Sequence, residues 1–166
     1  MSSIPVIRLE RPGDAPRVRA LLEAAFGGTA EADLVDRLRG GGDLVQSLVA
    51  EHGGVAGYVA FPRLTLDLGE RSVPVIGLAP VAVAPDRQHQ GTGSALIRAG
   101  LARMKDRGER LVFVLGEPAY YGRFGFEVMP GFASPYAGRY FQTLKLAPDA
   151  PLSGTVSYPK PFAELG

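Results

Sequence analysis

The residues of this chain best suited to chemistry lie in the turn Gln88-His89-Gln90-Gly91-Thr92-Gly93. The turn has no carboxylate, and its glycines leave the backbone bare, so successive amide N–H groups can point at one guest. From Ser94 onward the spacing is helical, which places those amides at a helix N-terminus. There the first N–H groups lack intrahelical partners and the macrodipole adds partial positive charge, an arrangement suited to a phosphate or pyrophosphate. Two other phosphate motifs do not fit. A dinucleotide fingerprint needs a third glycine where Leu96 stands, and an acid about twenty residues on, where Phe113 and its neighbours are apolar. A P-loop needs a lysine after its glycines, and Gly93-Ser94-Ala95 has none.

Such a turn must be held by a strand before it and a helix after it. The apolar, β-branched run Val73 to Val83 supplies the strand, with Pro80 inside it. Proline cannot donate to a ladder, so Pro80 predicts a bulge or an edge. The helix runs from Ser94 to Arg107, with Leu96, Ile97, Leu101 and Met104 on one side, late cations, and Gly108 as its stop. Arg110 to Leu115 then completes a strand-helix-strand unit whose two strands are parallel, with the glycine turn at the first strand's carboxyl end.

Upstream, Ile4 to Glu10 reads as a strand, and Asp14 as the N-cap of a helix whose stripe is Val18, Leu21, Leu22, Ala25 and Phe26. A short helix follows over Glu31 to Arg39. Leu44 to Glu51 and Val55 to Leu68 form a hairpin about His52-Gly53-Gly54 and lead by Gly69-Glu70-Arg71 into the third antiparallel run. Downstream come a short helix from Ala119 to Phe124 capped by Gly125, a strand from Phe126, a closing strand over Tyr140 to Leu146, and one more over Leu152 to Tyr158. With no linker, repeat or low-complexity tract, residues 1–166 read as a single α+β domain with a mixed sheet.

Composition narrows the function. At 166 residues, 46% of them apolar, the chain can bury a proper core. The net charge of +1 argues against nucleic acid or an anionic membrane as partner, so an anion site must be local. The absence of cysteine excludes a disulfide framework, a thiol nucleophile and a thiolate metal site, and His52 and His89 alone do not make a histidine-rich metal centre. The opening MSSIPVIRLERPGD lacks the basic start and long apolar core of a leader, and no apolar run reaches membrane-spanning length. A soluble, cytoplasmic protein is expected.

Directly after the strand ending VAVAP, Gln88, Gly91 and Gly93 spell Q-x-x-G-x-G, and Tyr121, Gly125 and Phe126 spell Y-x-x-x-G-F. Together these resemble the acyl-coenzyme A binding motif and the distal block of the GNAT acyltransferases. The flanking VLGEPAYYGRFGFE and the ending GTVSYPKPFAEL resemble a bacterial subgroup of small GNAT N-acetyltransferases, so the likeness covers nearly the whole chain. The resemblance implies a central, mostly antiparallel twisted sheet splayed into a V between two parallel strands and flanked by helices. It also implies acetyl transfer from acetyl-CoA, without a metal, to a primary amine of a small molecule or peptide, by direct attack in a ternary complex. The alternative is an acyl-CoA-binding sensor or regulatory module without turnover. Oligomeric state stays open, a homodimer included.

The same resemblance implies roles for residues. Gln88, His89, Gln90, Gly91, Thr92, Gly93 and Ser94 would hold the pyrophosphate, chiefly through backbone amides, and Val81, Ala82 and Val83 would pair with the pantetheine arm like an added strand. Tyr121 would be the general acid for the leaving thiolate, its phenol having a reference pKa of about 10 against roughly 8.5 for a thiol. Tyr120 is expected to point elsewhere and pack. Arg87 and Arg123 read equally as phosphate contacts or surface cations. Many relatives carry a glutamate before the bulge as base, but Val75 to Val81 contains no acid, which leaves Glu117, a water chain, or prior loss of the proton.

Overall fold

The computed structural model describes residues 4–165. The chain runs β1 (Val6–Leu9), α1 (Ala15–Phe26), α2 (Ala30–Gly40), β2 (Leu44–Glu51), β3 (Val55–Asp67), β4 (Ser72–Gly77), β5 (Val81–Val83), α3 (Thr92–Asp106), β6 (Leu111–Leu115), α4 (Pro118–Tyr121), β7 (Phe132–Ala133), β8 (Phe141–Lys145) and β9 (Gly154–Ser157). The sheet is open and mixed, in the order β1-β2-β3-β4-β6-β8, with β5 and β9 joining β3.

The long strand β3 is the spine, and its near-continuous apolar sequence allows it to be covered on both faces. Pleating sends Tyr58 and Ala60 toward α1 and α2, and Val59 and Phe61 toward α3. One edge of β3 takes β2 and then β9; the other takes β5 and then β4, all antiparallel. Helix α3 buries Leu96, Ile97, Leu101 and Met104, as its spacing requires.

The feature that matters for function lies between β4 and β6. These parallel strands pair only at Ile76↔Val112 and Gly77↔Phe113, and the Leu78 N–H donates to the Phe113 carbonyl at 3.0 Å. Beyond that point they part. The chain keeps to β3, with the Ala79 N–H donating to the Ala60 carbonyl and the Ala60 N–H to the Pro80 carbonyl, both at 3.1 Å. Meanwhile Val114 and Leu115 of β6 pair only with Gln142 and Phe141 of β8. The run expected over Val73 to Val83 is thus two strands, broken at Leu78-Ala79-Pro80 with a cis Ala79–Pro80 peptide.

Other local differences have plain causes. Helix α3 begins at Thr92 rather than Ser94, because Gly91 at φ +84° already serves as its N-cap. Asp14 precedes α1 but makes no side-chain cap; its carboxylate accepts from the Arg8 guanidinium at 2.8 and 3.0 Å and from the Arg11 N–H at 2.7 Å. Those contacts hold its pKa well below the usual carboxylate range, the Arg8 hydrogen bond contributing most. The helix expected over Ala119 to Phe124 tightens after Tyr121 into a 3-10 turn over Gly122–Phe124. The strand expected from Phe126 shrinks to one bridge, Glu127↔Thr143.

Packing of α3 on β3 yields a stability prediction. A Cβ at Gly100 would lie 2.2 Å from Cε2 of Phe61, whose ring is fully buried. Helix propensity alone favours Ala over Gly by about 1 kcal/mol, so the two effects oppose each other. Overpacking should win: Gly100→Ala should lose about 1–2 kcal/mol net, a fall in melting temperature of roughly 2–8 °C. A raised melting temperature would show that Phe61 yields freely.

Candidate functional site

The free edge of β5 opens onto a cleft of about 700 Å³. The Pro80 carbonyl and the Ala84 N–H both point to β3, the latter donating to Ala56 at 2.8 Å. Ladder alternation therefore turns the N–H groups of Val81 and Val83 away from β3, toward the cleft. The chain then wraps through a turn in which His89 and Gly91 have φ of +65° and +84°. That left-handed backbone suits glycine and is uncommon for histidine. The Gln88 side-chain amide donates to the Val83 carbonyl at 3.2 Å, tying the turn to the strand end.

Helix α3 starts where this turn finishes. Its first hydrogen bond runs from the Ala95 N–H to the Gly91 carbonyl, so the amides of Thr92, Gly93 and Ser94 precede the helical ladder. A Cβ on Gly93 would stand 3.4 Å from the Tyr120 hydroxyl and 3.5 Å from Cγ2 of Val83, so its bare Cα keeps the floor of the cleft open. Val81, Ala82, Val83, Gln88, His89, Gly91, Thr92, Gly93 and Ser94 all line the cleft. Gln90 is not among its lining residues.

One lining residue departs from expectation. Tyr120, expected to pack elsewhere, faces the cleft: its hydroxyl lies 3.2 Å from Ser94 Oγ and the Arg123 guanidinium stacks on its ring at 4.5 Å. Helix α4 is a single turn, and the Tyr120 and Tyr121 rings meet edge-on at 5.0 Å, so both belong to one cluster beside α3. Arg123 also donates to Ser94 Oγ at 3.3 Å and lines the cleft. Arg87 turns away, placing a guanidinium nitrogen 2.7 Å from Nδ1 of His52.

Tyr121 is buried in the cluster that includes Leu78, Val114 and, at its margin, Val81, the residues of the split. Its ring lies against Gly116, where a Cβ would come within 2.2 Å of Cε2. Gly116 is held in turn: its carbonyl accepts from the Gln142 side chain at 3.0 Å and its N–H donates to the Tyr140 carbonyl at 3.0 Å. Burial, and secondarily Tyr120, pushes the Tyr121 phenol up to about 12. Glu117 caps α4 with its carbonyl while its carboxylate is well exposed, 3.8 Å from Arg139. It lines neither the cleft nor the hollow described next.

On the other side of Pro80 the same strand borders a smaller hollow of about 280 Å³, lined by Gly77, Leu78 and Ala79, by Phe113 and Leu115 of β6, and by Pro62, Tyr136, Tyr158, Phe162 and Leu165. Val112 and Val114 belong to the core beneath α3 whereas Phe113 belongs to the opposite core, so this hollow opens on the face away from α3. Tyr158, Phe162 and Leu165 of its wall come from the ending GTVSYPKPFAEL. Among the described residues no cluster of three or more His, Asp or Glu could hold a metal ion, and no helix is long and apolar enough to cross a membrane.

A family model described as acetyltransferase (GNAT) domain matches residues 6–129. The chain belongs to the GNAT acetyltransferase family. The N-acetyltransferase YhbS of Escherichia coli is 39% identical over 170 residues, covering 95% of this chain and 98% of that protein. The GNAT architecture is equally close in solved structures. YhbS in complex with CoA superposes with a TM-score of 0.91 at 37% identity, over 100% of this chain and 96% of that one. A GNAT acetyltransferase of Brucella melitensis in complex with acetyl-CoA gives 0.80 at 40% identity, over 95% and 97%. The splayed mixed sheet expected from the resemblance is therefore the fold of the chain.

The buried phenol has a measurable consequence. Its folded pKa of about 12 lies above the ordinary value of 10.0, so its contribution to stability is intact below about pH 10 and is lost as pH rises toward 12. Wild type should lose about 1.4 kcal/mol relative to Tyr121→Phe between neutral pH and pH 11, read from urea unfolding midpoints. Parallel losses in both proteins would mean that the Tyr121 hydroxyl is solvated.

Proposed function

We propose that the protein transfers the acetyl group of acetyl-CoA to a primary amine of a small molecule or peptide, by direct attack in a ternary complex in the cytoplasm, the whole chain acting as one catalytic domain. The observation that carries this reading is the unpaired edge of β5 leading straight to the bare amides at the start of α3. A pantetheine arm has amides to pair with such an edge, and a pyrophosphate suits the helix start. Arg123, and Tyr120 through its bond to Ser94, frame the same anion. YhbS and the Brucella protein, bound to CoA and acetyl-CoA, support the choice of donor.

In this reading the amine nitrogen attacks the thioester carbonyl, forming the C–N bond, and the C–S bond breaks. The Val81 N–H, facing away from β3 next to the split, is placed to donate to the carbonyl oxygen as charge develops. The nitrogen loses one proton and the thiolate gains one, so no net proton is consumed. Tyr121 donates to the departing sulfur. A phenol at about 12 is a weaker acid than a thiol near 8.5, and complete transfer would run uphill by roughly 5 kcal/mol. Its cheaper contribution is a hydrogen bond that strengthens as the thiolate forms.

Turnover and binding separate these roles. Gly93→Val should weaken acetyl-CoA binding at least ~10-fold by filling the cleft floor, with the fold retained. Tyr121→Phe should bind acetyl-CoA normally and lose roughly 10²–10⁴ in kcat, whereas Tyr120→Phe should raise KM for acetyl-CoA and spare kcat. If Tyr121→Phe turned over like wild type, Tyr121 would be removed as the acid, and full acetyl-CoA binding by Gly93→Val would displace the site.

Among the described residues no carboxylate side chain lines either hollow, so the amine is proposed to lose its proton before binding or through water. The rising limb of kcat/KM against pH should then follow the acceptor's own pKa from one amine to the next. Glu117, near the mouth of the split, is the second reading: a limb that stays put across acceptors and disappears in Glu117→Gln would make it the base.

A further inference from the structure

We infer that the hollow beyond Pro80 is the acceptor pocket and that it selects a compact primary amine carried on an aromatic or branched apolar group, without a second charge. This rests on the acetyl-transfer reading and narrows it to a substrate class. Ala79 and Leu115 stand on the two strands where they part, so a molecule in the hollow meets the split from the side opposite the cleft. Its amine end would reach the reacting carbonyl, and the rest of it would lie among the side chains behind.

Those side chains define the class. None of the described lining residues is charged, and their only polar side-chain atoms are the hydroxyls of Tyr136 and Tyr158. The far wall is a chain of rings: Tyr136 meets Tyr158 edge-on at 4.9 Å, and Tyr158 meets Phe162 at 5.2 Å. Burial pushes the Tyr158 phenol well above the ordinary tyrosine value, so it stays neutral and offers no counter-charge. A carboxylate, phosphate or second ammonium entering here would be desolvated without a partner. At about 280 Å³ the hollow falls just below the roughly 300–1,000 Å³ usual for small-molecule sites, which limits the guest to about one ring and a short arm.

The rim supports the same conclusion from a separate observation. Leu115, Tyr136 and Leu165 are 42%, 37% and 39% exposed, an apolar collar gathered around one opening. Large apolar side chains scattered singly need no explanation, but a contiguous group at the mouth of an apolar cavity marks a binding site.

The test is a matched series of primary amines in a thiol-release assay with acetyl-CoA, each product checked by mass. 2-Phenylethylamine and benzylamine should exceed phenylalanine, which adds a carboxylate, and putrescine and spermidine, which add ammonium groups, by at least ~100-fold in kcat/KM. Leu115→Asp, at an exposed rim position, should lower kcat/KM for 2-phenylethylamine by at least ~10-fold and raise that for putrescine, while acetyl-CoA still raises the melting temperature. Preferred acetylation of an amino acid, a peptide or a polyamine would overturn the pocket assignment and leave acetyl transfer standing. If none of these amines were acetylated although acetyl-CoA binds, the pocket assignment would fail and acetyl transfer to a different amine would stand. Independently of turnover, 2-phenylethylamine added to the CoA-loaded protein should broaden the NMR signals of Tyr136 and Tyr158, and no binding overturns the pocket. A Leu115→Asp variant with unchanged preference also overturns it.

Discussion

Between Pro80 and Ala84 the sheet gives up one of its two hydrogen-bond ladders, and much of the architecture compensates for that loss. The ladder to β3 slips by one residue at the break and resumes through Ala79, Pro80 and Ala82, so the strand remains anchored along one edge. Across the gap β6 is held by β8 at all five of its residues. Gly116, the residue that leaves β6, is pinned by Tyr140 and by the buried amide of Gln142. Each wall of the split thus has its own hydrogen-bonded support, and the opening between them is already present in the backbone.

The split also divides the electrostatics of the molecule. On the α3 side, amides, a helix start and Arg123 favour anions. On the other side, rings and aliphatic groups favour neutral matter. The boundary is only a few residues wide, from Ala79 to Val81, and Tyr121 belongs to the packed cluster beside it. A tyrosine phenol is protonated at neutral pH, and burial raises the Tyr121 pKa further above its ordinary value.

How much of this was legible in the sequence depended on whether the signal was local. The glycine turn, the helix stripe at Leu96, Ile97, Leu101 and Met104, and the hairpin at Gly53-Gly54 are fixed by neighbours in the chain, and they lie where the spacing put them. Pro80 announced a break because a missing N–H is visible in any sequence. The orientation of Tyr120 was not legible, since α4 is a single turn of four residues, too short to show a periodicity that assigns its faces. Nor was the aromatic wall: Tyr136, Tyr158 and Phe162 come from loops and a short turn whose residues follow no period, and only β9 pairing onto the far end of β3 brings them to the split. Asp14 shows a subtler limit, because a residue of the right type for a helix cap was claimed by Arg8, a partner supplied by β1.

The prolines at 80 and 85 bracket the free edge of β5 and leave it three residues long. A polypeptide adding itself to a sheet needs a longer run of accessible N–H and C=O groups than that, and exposed edges of ordinary length are where proteins stick to one another. The edge is therefore long enough to grip a slender chain bearing a few amides and too short to recruit a strand from another protein. The same two residues that leave this edge free for a small guest keep it too short for a strand from another chain.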